Sequence, residues 1–141
     1  MTEGAETKQP KKLVLLVDDD EEILVAMEAT LRQIKEIRLD RATNGNQAVD
    51  KVEKDDPDIV VLDISLPKKS GFLVMERIRQ RRLRTKSQKP FVVMITGNPG
   101  QRHKDYAKSL GVNEYLNKPF RMDRLIGTIQ KFLADGANTG N

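Results

Sequence analysis

The sequence predicts a doubly wound α/β domain, in which five helices cover both faces of a five-stranded parallel sheet. Three short runs without a polar residue, at 13–17, 59–62 and 91–95, are typical of parallel strands buried on both faces. Segments with apolar residues at helical spacing separate these runs, and this alternation favours a parallel sheet between two layers of helices. Right-handed crossovers then produce the doubly wound arrangement.

Strands and helices are predicted to alternate along the whole ordered chain. In order, we expect a strand at 13–17, a helix at 23–34, a strand at 37–42, a helix at 45–54, a strand at 59–62, a helix at 72–82, a strand at 91–95, a helix ending at 110, a strand at 112–117 and a helix at 121–133. The Asn44-Gly45 pair marks the break before the second helix, and Gly111 is the expected C-cap of the fourth.

Length and composition restrict the class of protein. The 141 residues support one core, which we place at 12–134, between a disordered tail at 1–11 and a flexible tail at 135–141. The absence of Cys excludes a disulfide scaffold, a thiolate zinc site and a Cys nucleophile, and the single histidine, His103, excludes His-rich metal sites. There is neither an apolar run of about 20 residues nor a signal peptide, so we expect a cytoplasmic protein without a membrane segment.

The net charge of +4 conceals one basic segment. Residues 68–89 carry nine basic side chains and one acidic one, so this segment is +8 and the remainder of the chain is −4. A solvated helix face followed by a long basic loop at 79–89 is the first interpretation, and a patch for an acidic protein partner is the second. That patch would consist of Arg77, Arg81, Arg82 and Arg84. Binding of nucleic acid is not favoured, because aromatic residues do not interleave with the basic ones and no helix-turn-helix is present.

Polar residues follow the predicted strands where each strand ends. Asp18 and Asp19 follow the first strand, Asp63 the third, Thr96 the fourth and Lys118 the last. In such a sheet these ends share one edge. Carboxylates a few Å apart raise each other's pKa, which a hard divalent cation relieves, so the cluster predicts a site for Mg²⁺ or Mn²⁺.

Asp63 is the candidate nucleophile of this edge. A single Asp at a strand end is more often a helix cap, the role expected of Asp20, but here four strand ends carry polar groups together. A strand-end carboxylate can attack phosphorus to form an aspartyl phosphate. Phosphoryl transfer needs alignment and neutralisation of the non-bridging oxygens, which Lys118 and Thr96 could supply.

Four segments of the sequence, LVLLVDDDEE, DIVVLDISLPKKSG, FVVMITG and EYLNKPF, resemble the receiver domain of two-component response regulators, such as the chemotaxis response regulator, over residues 11–134. The resemblance implies a flavodoxin-like sheet of order 2-1-3-4-5 and a cis Lys118-Pro119 bond. It also implies a role for each site residue: the acidic pair Asp18 and Asp19, the phosphoacceptor Asp63, a metal-binding backbone carbonyl at Ser65, the switch hydroxyl of Thr96, the aromatic switch Tyr115 and the lysine Lys118. Ser65 and Asn98 would occupy positions that tune dephosphorylation.

The function implied by the resemblance is a relay step. A histidine kinase or a histidine phosphotransfer protein would phosphorylate Asp63 with Mg²⁺, and the surface of the fourth helix, fifth strand and fifth helix would switch toward an unknown downstream protein. The chain would catalyse only its own phosphoryl transfer and dephosphorylation, so it is not expected to be an enzyme. Whether it stands alone or was excised from a longer regulator stays open, as does a homodimer through the fourth and fifth helices.

Two other functions are weighed against this one. An aspartyl-phosphate phosphatase usually has a second Asp two residues after its nucleophile, whereas this chain has Ser65 there. A degenerate receiver that binds partners without phosphorylation would lack part of the site, whereas all the positions of the motif are filled.

Overall fold

The structure is a computed structural model that describes residues 10–66, 68, 70–97 and 101–139, with side chains from 104 to 136 in the last range. Five strands and five helices alternate in the predicted order. They are β1 (Lys12–Val17), α1 (Glu21–Leu31), β2 (Ile37–Ala42), α2 (Gly45–Asp55), β3 (Ile59–Asp63), α3 (Gly71–Thr85), β4 (Phe91–Thr96), α4 (Gln101–Ser109), β5 (Glu114–Asn117) and α5 (Met122–Thr139). None of these helices has the length and apolar character needed to cross a bilayer.

All five strands form one parallel sheet of order β2-β1-β3-β4-β5, as predicted. The pairing aligns the strand ends: Val17 lies opposite Leu62, Asp63 opposite Ile95 and Thr96 opposite Asn117. The chain reverses its direction of winding between β1 and β3, and in doubly wound sheets this switch point is where a site forms.

The purely apolar strands are explained by two cores, one on each face of the sheet. Successive residues of a strand point to opposite faces, so Val60 and Leu62 enter the core formed with α2, α3 and α4. Ile59 and Val61 enter the core formed with α1 and α5. A strand covered on both sides has no polar face, which is why these runs lack alternation.

Side chains cap three of the helices at their N-termini. Asp20 accepts a hydrogen bond from the Glu22 amide at 2.9 Å, which confirms its predicted role. Asn44 begins α2 in the same way, and Ser70 begins α3. The predicted C-cap is confirmed too, since Gly111 has a φ of +92° after α4.

Two helices are longer than predicted. α3 continues to Thr85, so the segment 79–89 is mostly helical and not a long loop; Lys86, with a φ of +55°, ends the helix. α5 continues to Thr139, so residues 135–139, expected to form a flexible tail, are helical. α1 ends at Leu31, before the predicted 34, although Ile34 remains buried. The prediction for 1–9 lies outside the described residues.

Candidate functional site

Three carboxylates meet at the carboxyl edge of the sheet, as the strand-end argument predicts. Asp18 and Asp19 follow β1, Asp63 ends β3, and these two strands are neighbours. One carboxylate oxygen from each residue lies within 4.8 Å of the others. Asp18 and Asp63 are buried, whereas Asp19 is exposed, so the cluster opens to solvent on one side.

The carboxylate of Asp18 is only half satisfied. Its Oδ1 accepts a hydrogen bond from the Asp20 amide at 2.9 Å, while its buried Oδ2 accepts none in the described part of the chain. Burial raises the pKa of Asp18 to about 6; the Asp20 amide and Lys118 oppose this rise, and the charges of Asp63 and Asp19 add to it. The negative charge of this carboxylate is therefore compensated only in part, by Lys118, whose Nζ lies 3.7 Å from Oδ2.

This donor set fits a hard divalent cation. Mg²⁺ prefers carboxylate and carbonyl oxygens and keeps several of its waters, so a cluster of three carboxylates with one exposed member suits it. The oxygen of Asp18 without a hydrogen bond is the clearest sign that the residues suit a cation. Ser65 donates its amide to Asp63 Oδ1 at 3.1 Å, which orients that carboxylate; a metal contact of the Ser65 carbonyl stays a prediction.

Lys118 brings a positive charge to the carboxylates. Its Nζ lies 3.5 Å from Asp63 Oδ2 and 3.7 Å from Asp18 Oδ2. The Lys118 amide also donates to the carbonyl oxygen of Thr96 at 2.6 Å, which joins the ends of β4 and β5. The Lys118-Pro119 bond is cis, as the resemblance implied, and Lys89-Pro90 is cis as well.

The two switch candidates lie at different depths. Thr96 is fully buried at the end of β4, one residue beyond Ile95, which pairs with Asp63. Tyr115 is half-buried on β5, opposite Met94, and packs against the core beneath α3 and α4. The structure thus places Thr96 at the same edge as the carboxylates and Tyr115 further back along β5. Asn98, predicted to occupy a position that tunes dephosphorylation, lies outside the described residues.

Gly71, for which no role was predicted, lies directly behind the site. A Cβ at this position would lie 2.5 Å from the carbonyl oxygen of Asp63 and 2.6 Å from Ile64 Cα. The Gly71 amide also donates to the Ile64 carbonyl at 2.9 Å. Only glycine allows α3 to begin this close to the strand end. The sequence does contain a signal for this contact. Glycine is a poor helix former, so its presence at the first position of α3 indicates that a side chain does not fit there.

Two of the four arginines predicted to form a partner patch, Arg81 and Arg82, hold α3 to other parts of the chain. Arg81 is 14% exposed and pairs with Glu53 at 2.8 Å and Asp56 at 3.0 Å, which holds α3 against α2. Arg82 donates to three acceptors. The Gly111 carbonyl at 2.8 Å and Asn113 Oδ1 at 2.9 Å lie in the loop after α4, and the Pro90 carbonyl at 2.5 Å lies just before β4. Both side chains are thus held by acceptors within the chain.

The other two arginines of the predicted patch stay at the surface. Arg77 is exposed and has no ion pair with a described residue. Arg84 shares Glu53 with Arg81 at 2.9 Å, but its side chain is 58% exposed. The partner patch stays a prediction. Contacts within the chain occupy Arg81 and Arg82, whereas Arg77 and Arg84 are the exposed members of the patch.

The comparisons with known proteins agree with the geometry. The response regulator receiver domain model matches residues 14–130. The alkaline phosphatase synthesis transcriptional regulatory protein PhoP of Bacillus subtilis is 32% identical over 109 residues, which are 77% of this chain and 43% of PhoP. The transcriptional regulatory protein DltR of Streptococcus agalactiae is 32% identical over 117 residues, 83% of this chain and 50% of DltR. The chain spans about half the length of these curated relatives.

Solved structures show the same fold. A CheY-like response regulator receiver domain protein from Methanospirillum hungatei JF-1 superimposes with a TM-score of 0.81 at 23% identity, covering 92% of this chain and 98% of that one. The family match over most of the chain agrees with the parallel sheet and with the acidic cluster beside Lys118. The chain belongs to the response regulator receiver domain family of two-component systems.

Proposed function

We propose that the chain is a phosphoaccepting receiver. Asp63 takes a phosphoryl group from the phosphohistidine of a histidine kinase or of a histidine phosphotransfer protein. The observation that carries this proposal is the position of Lys118 Nζ, 3.5 Å from Asp63 Oδ2, inside a cluster of three carboxylates. A nucleophilic carboxylate, a cation-binding donor set and a fixed positive charge are what phosphoryl transfer requires.

The transfer forms one bond and breaks one. A carboxylate oxygen of Asp63 attacks phosphorus while the phosphorus–nitrogen bond of the donor breaks, and the leaving imidazole takes up a proton. The Ser65 amide holds Asp63 Oδ1 at 3.1 Å and so keeps the carboxylate in one orientation. Lys118 is close enough to ion-pair with the phosphoryl oxygens once they are bound to Asp63.

The metal would be held by the carboxylates of Asp18, Asp19 and Asp63 together with the backbone carbonyl of Ser65. When bound there, Mg²⁺ or Mn²⁺ would neutralise charge on the phosphoryl oxygens. Asp18 is mostly ionised at neutral pH because its pKa is about 6. Its Oδ2, which accepts no hydrogen bond from a described residue, can therefore act as a metal ligand under those conditions.

The phosphorylated site would act on a distant surface through Thr96. We place the Thr96 hydroxyl as a donor to a phosphoryl oxygen, because Thr96 ends the strand beside Asp63. The Lys118 amide binds the Thr96 carbonyl, so a displacement of Thr96 moves the end of β5 and the packing of Tyr115. Phosphorylation would then shift a two-state equilibrium of the surface made by α4, β5 and α5, which an unknown downstream protein reads.

Intact-mass measurement tests the proposal. The protein is incubated with phosphoramidate and Mg²⁺, and its mass is followed over time. We expect a gain of one phosphoryl group that is absent with EDTA and in Asp63→Ala, and slower in Lys118→Ala. Asp55→Ala, which removes an exposed carboxylate at the end of α2, is the matched control and should gain the group normally. A gain that survives Asp63→Ala would refute the assignment.

A further inference from the structure

Most of the large apolar side chains that are exposed among the described residues lie on or beside one helix, α3. Four large hydrophobic residues are exposed in the described part of the chain: Val25, Leu73, Leu83 and Tyr106. Leu73 is 49% and Leu83 68% exposed, and both lie on α3. The rings of Tyr106 on α4 and Phe72 on α3 pack in an edge-to-face arrangement, with their centroids 4.8 Å apart. Single exposed apolar residues are common on proteins, but three of these four lie on or beside α3, so this helix offers several apolar contacts to a partner.

The two leucines lie on the side of α3 that faces away from the core. Val74, Met75 and Ile78 are buried on the opposite side. Ten residues separate Leu73 from Leu83, which corresponds to about 15 Å along the helix axis at 1.5 Å per residue. That span is enough for about three turns of a helix lying alongside.

Arginines flank the leucines on both sides. Arg77 and Arg84 lie toward α2, where Arg84 contacts Glu53. Arg79 lies toward α4, since it is one turn from Arg82, which binds the Gly111 carbonyl after α4. Arg77 and Arg79 are exposed and pair with no acidic side chain in the described residues. We call Leu73, Glu76, Arg77, Arg79, Gln80, Leu83 and Arg84 the α3 outer face. Glu76 is its one acidic member, and its carboxylate accepts a hydrogen bond from the Tyr106 hydroxyl at 3.2 Å.

Arg81 and Arg82, on the inner side of α3, hold the α3 outer face in place. Arg81 ties α3 to Glu53 and Asp56 of the α2 end, and Arg82 ties it to three acceptors near β4 and β5. A helix fixed on both edges loses little freedom when a partner binds, which favours affinity. The basic segment is thus divided into an inner set that anchors α3 and an outer set directed at solvent.

We propose that the α3 outer face is a docking surface for an acidic amphipathic helix of a protein partner. Apolar side chains of that helix would cover Leu73 and Leu83, and its carboxylates would face Arg77 and Arg79. A nucleic acid would use the arginines alone and gain little from exposed leucines, so an acidic protein helix fits better. The surface uses none of the residues around Asp63.

Binding of a designed peptide tests the proposal. The probe is an 18-residue helical peptide of Leu, Ala and Glu, with leucines at i, i+3, i+4 and i+7 spacing. Its control has the same composition in scrambled order. Amide chemical shifts of the labelled protein locate the binding site, and fluorescence anisotropy gives the affinity at two salt concentrations. Mg²⁺ and phosphodonor are omitted, so the result is independent of Asp63 chemistry.

Two surface variants and a matched control make the test specific. Arg77→Glu/Arg79→Glu removes the charge contacts and Leu73→Ser/Leu83→Ser removes the apolar contacts. Each variant should weaken peptide binding by about tenfold or more. Lys35→Glu/Lys131→Glu makes the same change of charge at two exposed lysines elsewhere and should leave affinity nearly unchanged. Thermal unfolding of each variant confirms that the fold is retained.

The expected result is a set of shifted amides confined to α3 and its neighbours, with weaker binding of the scrambled peptide and at high salt. The proposal is overturned if the amphipathic peptide does not bind at low salt, or if the shifts lie elsewhere. It is also overturned if the leucine variant binds as well as the parent. A DNA duplex that binds through Arg77 and Arg79 where the peptide does not would assign the surface to nucleic acid instead.

Discussion

Lys118 Nζ lies 3.5 Å from Asp63 Oδ2 and only slightly further, at 3.7 Å, from Asp18 Oδ2. One cation thus balances two buried carboxylates from neighbouring strands, which leaves the cluster with excess negative charge. Burial of that charge is unfavourable, and the raised pKa of Asp18 reports it. The first two predictions follow from this imbalance.

Asp18→Asn should stabilise the metal-free protein at neutral pH. The pKa of Asp18 is about 6 in the folded protein, above its ordinary value of 3.8. A raised folded-state pKa means that the stabilising contribution is complete below pH 3.8 and is lost as the pH rises through 6. The amide has no such loss, so we expect a gain of about 1–2 kcal/mol at pH 7 after allowing for solvent screening.

Urea unfolding in EDTA at pH 4 and pH 7 measures this difference. The advantage of Asp18→Asn should be present at pH 7 and nearly absent at pH 4. An equal difference between variant and parent at both values would show that Asp18 does not titrate in this window.

Mg²⁺ should raise the midpoint of thermal unfolding, because a cation held by the carboxylate cluster of the folded protein would favour the folded state. The increase should shrink as the pH falls through about 6, where protons compete for Asp18. Asp19→Ala should reduce the Mg²⁺-dependent increase at pH 7.5, whereas Asp55→Ala, at an exposed site on α2, should not. An unchanged Mg²⁺ response in Asp19→Ala would remove Asp19 from the ligand set.

Gly71→Ala should perturb both stability and the site. The new Cβ would meet backbone atoms of Asp63 and Ile64 at 2.5–2.6 Å, so α3 or the strand end must move. We expect a loss of about 1–3 kcal/mol and slower phosphorylation of Asp63. Gly127→Ala is the matched control on α5, where a Cβ meets no heavy atom within 4 Å, and it should stabilise by about 0.5–1 kcal/mol. Identical denaturation curves for the two variants would contradict the close approach at Gly71.

Arg82→Ala should destabilise the protein by about 2 kcal/mol, because it removes charged hydrogen bonds to the Pro90 and Gly111 carbonyls and to Asn113. Arg79→Ala, three residues earlier on the exposed side, should change stability by no more than about 0.5 kcal/mol. Chemical denaturation of both variants measures the contrast. Equal effects would mean that Arg82 does not anchor the loop after α4.

The strand-end cluster was predictable because its information is local. Three of the strands contain unbroken apolar runs, a polar residue follows each run, and parallel pairing places those ends on one edge. The positions of Asp18, Asp19 and Asp63 follow from that rule without any knowledge of side-chain packing. Caps such as Asp20 are equally local, since the acceptor and the amide are two residues apart.

The ends of α3 and α5 could not be predicted in this way. Beyond residue 82 the α3 sequence is Leu-Arg-Thr, which has no apolar face, and the helix is held by Arg81 and Arg82 through partners distant in sequence. α5 runs through Gly136, a poor helix former, whose backbone lies near Phe91. The contact of Gly71 with the Asp63 backbone is tertiary too. These features depend on packing that only the folded chain shows.

The most direct test of the account is chemical location of the phosphoryl group. The protein is phosphorylated with phosphoramidate and Mg²⁺, reduced with borohydride, which converts an aspartyl phosphate to homoserine, and sequenced by tandem mass spectrometry. If Asp63 is the phosphoacceptor, homoserine appears at position 63 alone, and none appears when Mg²⁺ is replaced by EDTA. Homoserine at position 18 or 19, or phosphorylated protein with an unmodified Asp63, would contradict that role.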